Sequence, residues 1–160
     1  MTNNDVLRKV RFIFDFNDEK MIKLFALGGR EVSRAEVSDW LKQDDHENFK
    51  ECEDVALASF LNGLIVDKRG AKEDGAIVEA EPRLTNNQIF AKLKIALNLK
   101  AEDILELIEM ANFKISRHEL SAFFRRPTHK HYRECKNQVL RQFLQGLQLK
   151  LRPDVLNNEK

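Results

Sequence analysis

Val32-Ser33-Arg34-Ala35-Glu36-Val37-Ser38 returns 83 residues later as Ile115-Ser116-Arg117-His118-Glu119-Leu120-Ser121. In each stretch a serine is followed three positions on by a glutamate. In such a capping box the hydroxyl accepts from the third helical N–H, and the carboxylate accepts from the serine's own N–H. The flanking apolar residues, Val32 with Val37 and Ile115 with Leu120, have the spacing of a hydrophobic staple. Each stretch therefore predicts a helix start. Outward from this pair the match runs without a gap, Thr2 to Arg69 against Thr85 to Arg152. Thr2-Asn3-Asn4 meets Thr85-Asn86-Asn87, and Phe60-Leu61-Asn62-Gly63-Leu64 meets Phe143-Leu144-Gln145-Gly146-Leu147. A duplicated unit explains this. With only two copies, packing about a pseudo-twofold axis is expected rather than an open solenoid.

The periodicity within each copy is helical. Val6, Leu7, Val10, Ile13 and Phe14 form one stripe, repeated by Ile89, Phe90, Leu93, Ala96 and Leu97. Thr2 and Thr85 stand where N-caps belong, Thr85 with Gln88 as a capping box. A second helix carries Met21, Ile22, Leu24 and Phe25, with Ile104, Leu105, Leu107 and Ile108 as its twin. After the capped third helix, a long fourth is predicted from Asn48 to Val66 and from His131 to Leu151. Its stripes are Phe49, Cys52, Ala56, Phe60, Leu64 and Tyr132, Cys135, Val139, Phe143, Leu147. Gly63 and Gly146 inside that helix cost about 1 kcal/mol each relative to Ala, so each is expected at a close helix contact. The predicted fold is all-α, two tandem four-helix repeats with helix-turn-helix-like helix pairs. The expected divisions are a first repeat over 1–66, a linker over 67–84 carrying Gly70, Gly75 and Pro82, a second repeat over 85–152, and a flexible tail over 153–160.

The chain has 160 residues, 42% of them hydrophobic and 33% charged, which suits a packed core and excludes a disordered tail. No apolar run approaches the roughly 20 residues of a membrane span. Two Cys are too few for a disulfide scaffold, and Thr2-Asn3-Asn4-Asp5 does not read as a secretory leader. A cytoplasmic location is expected. There is no phosphate-binding glycine loop, nucleophile elbow or Cys-x-x-Cys pair, and His118-Glu119 fails as a zinc-protease motif because Ala122 holds the second histidine's place. The chain is therefore expected to be no enzyme and to need no cofactor. His129, His131 and Cys135, matched by His46 and Cys52, have zinc-ligand chemistry. Cysteines on an apolar helix stripe act as small hydrophobes, so no metal is expected.

Charge is the most informative functional signal. A net charge of +1 conceals 12 Lys or Arg against 18 Asp or Glu in residues 1–81, and 15 against 8 in residues 82–160. The halves carry −6 and +7. Such asymmetry points to a polyanionic partner. The candidate anion-binding residues are Arg117, His118, Arg125, Arg126, Lys130, Arg133, Lys136 and Arg141. Tyr132 stands among them as a stacking side chain, whereas Phe123 and Phe124 are expected in the core. Arg117 and His118 open the third helix of the second copy, the place of a recognition helix in helix-turn-helix proteins. Two readings remain open. The basic copy binds nucleic acid or another polyanion, or the acidic and basic copies attract an acidic protein or a second copy of the chain.

The ordered series Leu27-Gly28-Gly29, Trp40-Leu41, Phe60-Leu61-Asn62-Gly63-Leu64, Lys68-Arg69-Gly70, Leu93-Lys94-Ile95-Ala96-Leu97-Asn98-Leu99, Glu119-Leu120-Ser121-Ala122-Phe123-Phe124-Arg125 and Gly146-Leu147-Gln148-Leu149-Lys150-Leu151-Arg152 resembles the YehS family of bacterial proteins. The resemblance covers nearly the whole chain. It implies a small cytoplasmic protein made of a duplicated domain of unknown function, and it brings no catalytic residue or cofactor. Thr128, after Pro127, departs from the glycine expected there.

Overall fold

The structure, a computed structural model, describes residues 1–153. Among them eight helices follow one another with no strand: α1 (Asn3–Phe14), α2 (Asp18–Leu27), α3 (Arg34–Leu41), α4 (Asp54–Arg69), α5 (Asn86–Ala96), α6 (Ala101–Met110), α7 (Arg117–Phe123) and α8 (Asn137–Leu151). The expected tail lies outside the described residues beyond Pro153. Five of these helices, α1, α2, α3, α5 and α7, start where a short polar side chain satisfies an orphan N–H group. Ser33 Oγ accepts from the Glu36 N–H at 3.1 Å, and Ser116 Oγ accepts from the Glu119 N–H at 3.0 Å. Thr2 and Thr85 close boxes with Asp5 and Gln88 in the same way.

The fourth helix of each copy begins later than its stripe suggests. α4 starts at Asp54 and α8 at Asn137, and the segments before them are turns and irregular backbone rather than helix. The cause lies in helix α1. Asn4 Nδ2 donates to the carbonyls of Trp40 (2.9 Å) and Lys50 (2.8 Å), while its Oδ1 accepts from the Cys52 N–H at 2.9 Å. Asn87 repeats all three bonds with Phe123, Arg133 and Cys135. Backbone groups held this way are diverted from an i→i−4 ladder. Phe49, Cys52, Tyr132 and Cys135 therefore belong to these clamped segments rather than to a helix, although both cysteines remain buried. At its other end α4 continues past Val66 to Arg69, where Gly70, at φ +93°, ends it.

Within each copy α2 packs on α4 and α6 on α8. The predicted close contacts are present: a methyl added at Gly63 would strike the Leu24 carbonyl oxygen, and one at Gly146 the Leu107 carbonyl oxygen. Between copies, α4 packs on α5 and α8 on α1, the reciprocal exchange that a twofold requires. Two polar bonds obey the same symmetry, Lys9 Nζ donating to Gln145 Oε1 at 3.0 Å and Lys92 Nζ donating to Asn62 Oδ1 at 2.6 Å. One apolar cluster runs through both copies, from Phe25, Trp40 and Phe60 to Phe90, Phe123 and Phe143. Among the described residues no helix is long and apolar enough to cross a membrane.

Candidate nucleic-acid interface

Helix α7 presents its outer face through the same device that starts it. The Ser116–Glu119 box fixes the first turn and leaves Arg117 and His118 exposed. Beside them a groove of about 630 Å³ is lined by Lys94 of α5, Ala101 and Ile104 of α6, and Arg117, His118, Leu120, Ser121 and Phe124 of α7 and its C-cap. Phe124 is half-buried rather than a core residue, and Lys94 Nζ lies 4.5 Å from its ring centroid. On the far side of His118 a second hollow of about 320 Å³ is lined by Ala122, Lys130, His131, Tyr132 and Arg133. His118 belongs to both linings.

The loop carrying the second hollow is held from below. Asn87 Nδ2 donates to the Arg133 carbonyl at 2.7 Å, and the Arg133 N–H donates to the Ala122 carbonyl at 3.2 Å. His129 Nδ1 accepts from the His131 N–H at 3.0 Å, as His46 Nδ1 does from Asn48. These anchors direct the side chains of Lys130, His131 and Arg133 outward. Arg117 pairs with Glu102 at 3.0 Å and Arg133 with Glu119 at 3.9 Å, all four side chains open to water. Exposed pairs of this kind contribute little to stability. Glu102 sits below the usual carboxylate range, held there by its own backbone N–H and then by the Arg117 guanidinium. Partial burial pushes the Tyr132 hydroxyl up.

Of the eight candidates, Arg117, His118, Lys130 and Arg133 come together here. Arg125 and Arg126 follow α7 and stand outside both linings; Lys136 caps α8 and pairs with Glu134 at 3.2 Å. Arg141 is elsewhere, in a cleft between α1 and α8. Lys94 and Phe124 were missed from the sequence because they look like the edge of a core stripe, and only the packing of α5 beside α7 brings them to the groove. The equivalent positions of the first copy carry Ala35 for His118, Glu47 for Lys130 and Phe49 for Tyr132.

The family model for a protein of unknown function (DUF1456) matches twice, over residues 3–70 and 86–152. The chain belongs to the DUF1456 family. Both DUF1456 matches coincide with a four-helix copy, so the duplication in the sequence is the family's own unit. The chain is 44% identical to the uncharacterized protein YehS of Escherichia coli strain K12 over 147 residues, covering 92% of this chain and 94% of that one. No solved structure matches. DUF1456 membership carries no assigned activity, and the thiols offer none here: burial pushes both Cys52 and Cys135 up to about 12. A protonated thiol is a poor nucleophile and a poor metal ligand.

Proposed function

We propose that this protein is a non-catalytic cytoplasmic binding module whose second copy takes a nucleic acid strand across α7. One observation carries the reading: His118 joins a groove and a hollow that together gather Lys94, Arg117, Lys130 and Arg133 around two aromatic rings, Phe124 and Tyr132. Cations spaced along a channel follow a phosphate backbone, and partly exposed rings offer a face to unstacked bases. The first copy differs here chiefly in Ala35 for His118, Glu47 for Lys130 and Phe49 for Tyr132, while Arg11, Arg34 and Lys50 stand at the places of Lys94, Arg117 and Arg133. Arg125, Arg126 and Lys136 contribute to the surrounding positive field rather than to contact.

The test is fluorescence anisotropy with a labelled single-stranded RNA and a labelled DNA duplex over a salt series. Four phosphate contacts on a single strand give a log–log salt slope of about −3. The triple variant Arg117→Glu, Lys130→Glu, Arg133→Glu is expected to abolish retention, with Arg125→Glu, Arg126→Glu weakening it less and Arg34→Glu in the first copy leaving it intact. Retention unchanged in the triple variant rejects the reading.

A further inference from the structure

The loop between α3 and α4 and the loop between α7 and α8 share one backbone frame. The His46 N–H donates to the Gln43 carbonyl at 3.0 Å, and the Phe49 N–H to the His46 carbonyl at 3.1 Å. At the equivalent places of the second copy, the His129 N–H donates to the Arg126 carbonyl at 2.8 Å, and the Tyr132 N–H to the His129 carbonyl at 2.9 Å. The Asn4 and Asn87 amides and the His46 and His129 rings hold both loops alike. On this common frame the charges are inverted. The first loop sets Asp44, Asp45, Glu47, Glu51 and Glu53 against Lys50, and the second sets Arg126, Lys130, Arg133 and Lys136 against Glu134.

Both sets face water and are little used within the chain. Asp45, Glu47, Glu51 and Glu53 are exposed and make no ion pair among the described residues, and the same holds for Arg126 and Lys130. The pairs that do form are Asp44 with Arg8 at 3.4 Å, Arg133 with Glu119 at 3.9 Å and Lys136 with Glu134 at 3.2 Å, none of which joins one loop to the other. Like charges crowded on a short loop repel, and a surface of opposite sign relieves the repulsion. The basic loop also offers a seat, the hollow of about 320 Å³ that Lys130, His131 and Arg133 help to line.

We propose that the acidic α3–α4 loop of one chain docks on the basic α7–α8 loop of a second copy of this chain, Asp45 and Glu47 meeting Arg126 and Lys130. The occupant is a second copy because the same sequence supplies both surfaces, of opposite sign and on matching frames. Complementary charge selects that partner and sets its register. The contact is heterologous, each chain presenting a different surface to the other. It covers cations also assigned above to nucleic acid, so a strand and a second chain compete for them, but it does not depend on that reading.

The test is sedimentation velocity of the full chain over a concentration series at about 0.05 M and about 0.5 M salt. At the lower salt the average mass is expected to rise with concentration, and at the higher salt the chain is expected to stay monomeric. One variant carries Asp45→Asn, Glu47→Gln and Glu51→Gln, and another Arg126→Gln, Lys130→Gln and Arg133→Gln, all six at exposed positions. Each variant alone is expected to self-associate about tenfold more weakly or not at all. An equimolar mixture is expected to form a one-to-one pair that grows no further, since one competent contact remains, and this pairing also shows that both variants are folded. A native chain that stays monomeric at low salt, association that survives high salt, full association of either variant alone, or a mixture that fails to pair overturns the proposal. The first variant keeps every α7 cation, so an absence of strand binding in it and in the native chain, with these masses as expected, rejects the nucleic-acid reading alone.

Discussion

Asn4 and Asn87 each make three bonds to backbone groups that are distant in sequence, with the side chain 2% and 6% exposed respectively. An amide suits the task because it donates from nitrogen and accepts at oxygen, where a carboxylate only accepts. Their neighbours Asn3 and Asn86 add a bond each to the Cys52 and Cys135 carbonyls, so these non-helical segments are tied twice. Truncating Asn4 to Ala strands two carbonyls and one N–H in a dry place. Its expected cost is about 3 kcal/mol, read as a lower denaturant midpoint with unchanged slope. Asn3→Ala, half-buried, is expected to cost about 1 kcal/mol. Equal costs for the two would remove Asn4 from the role of clamp. The repeated Thr-Asn-Asn was plain in the sequence as a pattern, but its purpose was not, because the partners of these asparagines lie 36 to 48 residues away.

Helices were legible where their determinants are local. The boxes at Ser33, Thr85 and Ser116 need only a partner three residues on, and all form. α4 and α8 were placed too early because an apolar stripe continues through segments whose backbone is committed elsewhere. The basic surface shows the same division. Composition revealed the charge of the second copy, yet Arg141, on α8, faces α1 while Arg117 and His118, on α7, face the groove. Which face a helix turns outward is settled by packing. The α1 box also has a pH signature. Against the effect of burial, the Thr2 N–H and the Arg8 guanidinium hold the Asp5 carboxyl below its ordinary 3.8. A depressed folded value means stability that is complete at neutral pH and is lost as pH falls through 3.8 and below. Thermal melts of the native chain and Asp5→Asn are expected to differ at pH 7, at roughly the scale of one helix cap, and the gap is expected to narrow as pH is taken below 3.8. A gap that widens on acidification contradicts this assignment.

At the scale of the molecule, the two copies exchange helices rather than charges. Of the −6 and +7 carried by the halves, two ion pairs among the described residues join them, Arg152 with Asp15 at 3.7 Å and Lys92 with Glu81 at 3.0 Å; apolar helix packs on apolar helix between the copies, with the Lys9–Gln145 and Lys92–Asn62 bonds at its edges. The second copy's positive face is thereby left to solvent, and the asymmetry contributes little to the packing of copy on copy. A shared core has a thermodynamic consequence that a string of independent repeats would not have. α4 completes the surface under α5, and α8 the surface under α1, so neither copy keeps its burial when the other opens. Trp40, the single tryptophan, reports on the first copy alone, while far-ultraviolet circular dichroism reports on all eight helices. Asn87→Ala weakens only the second copy's clamp. In a single cooperative unit it lowers the Trp40 fluorescence midpoint and the dichroism midpoint together, by the same increment of about 3 kcal/mol. A Trp40 transition that stays in place while part of the dichroism is lost earlier would mean that the copies unfold independently and that the exchanged helices are only an adhesive contact.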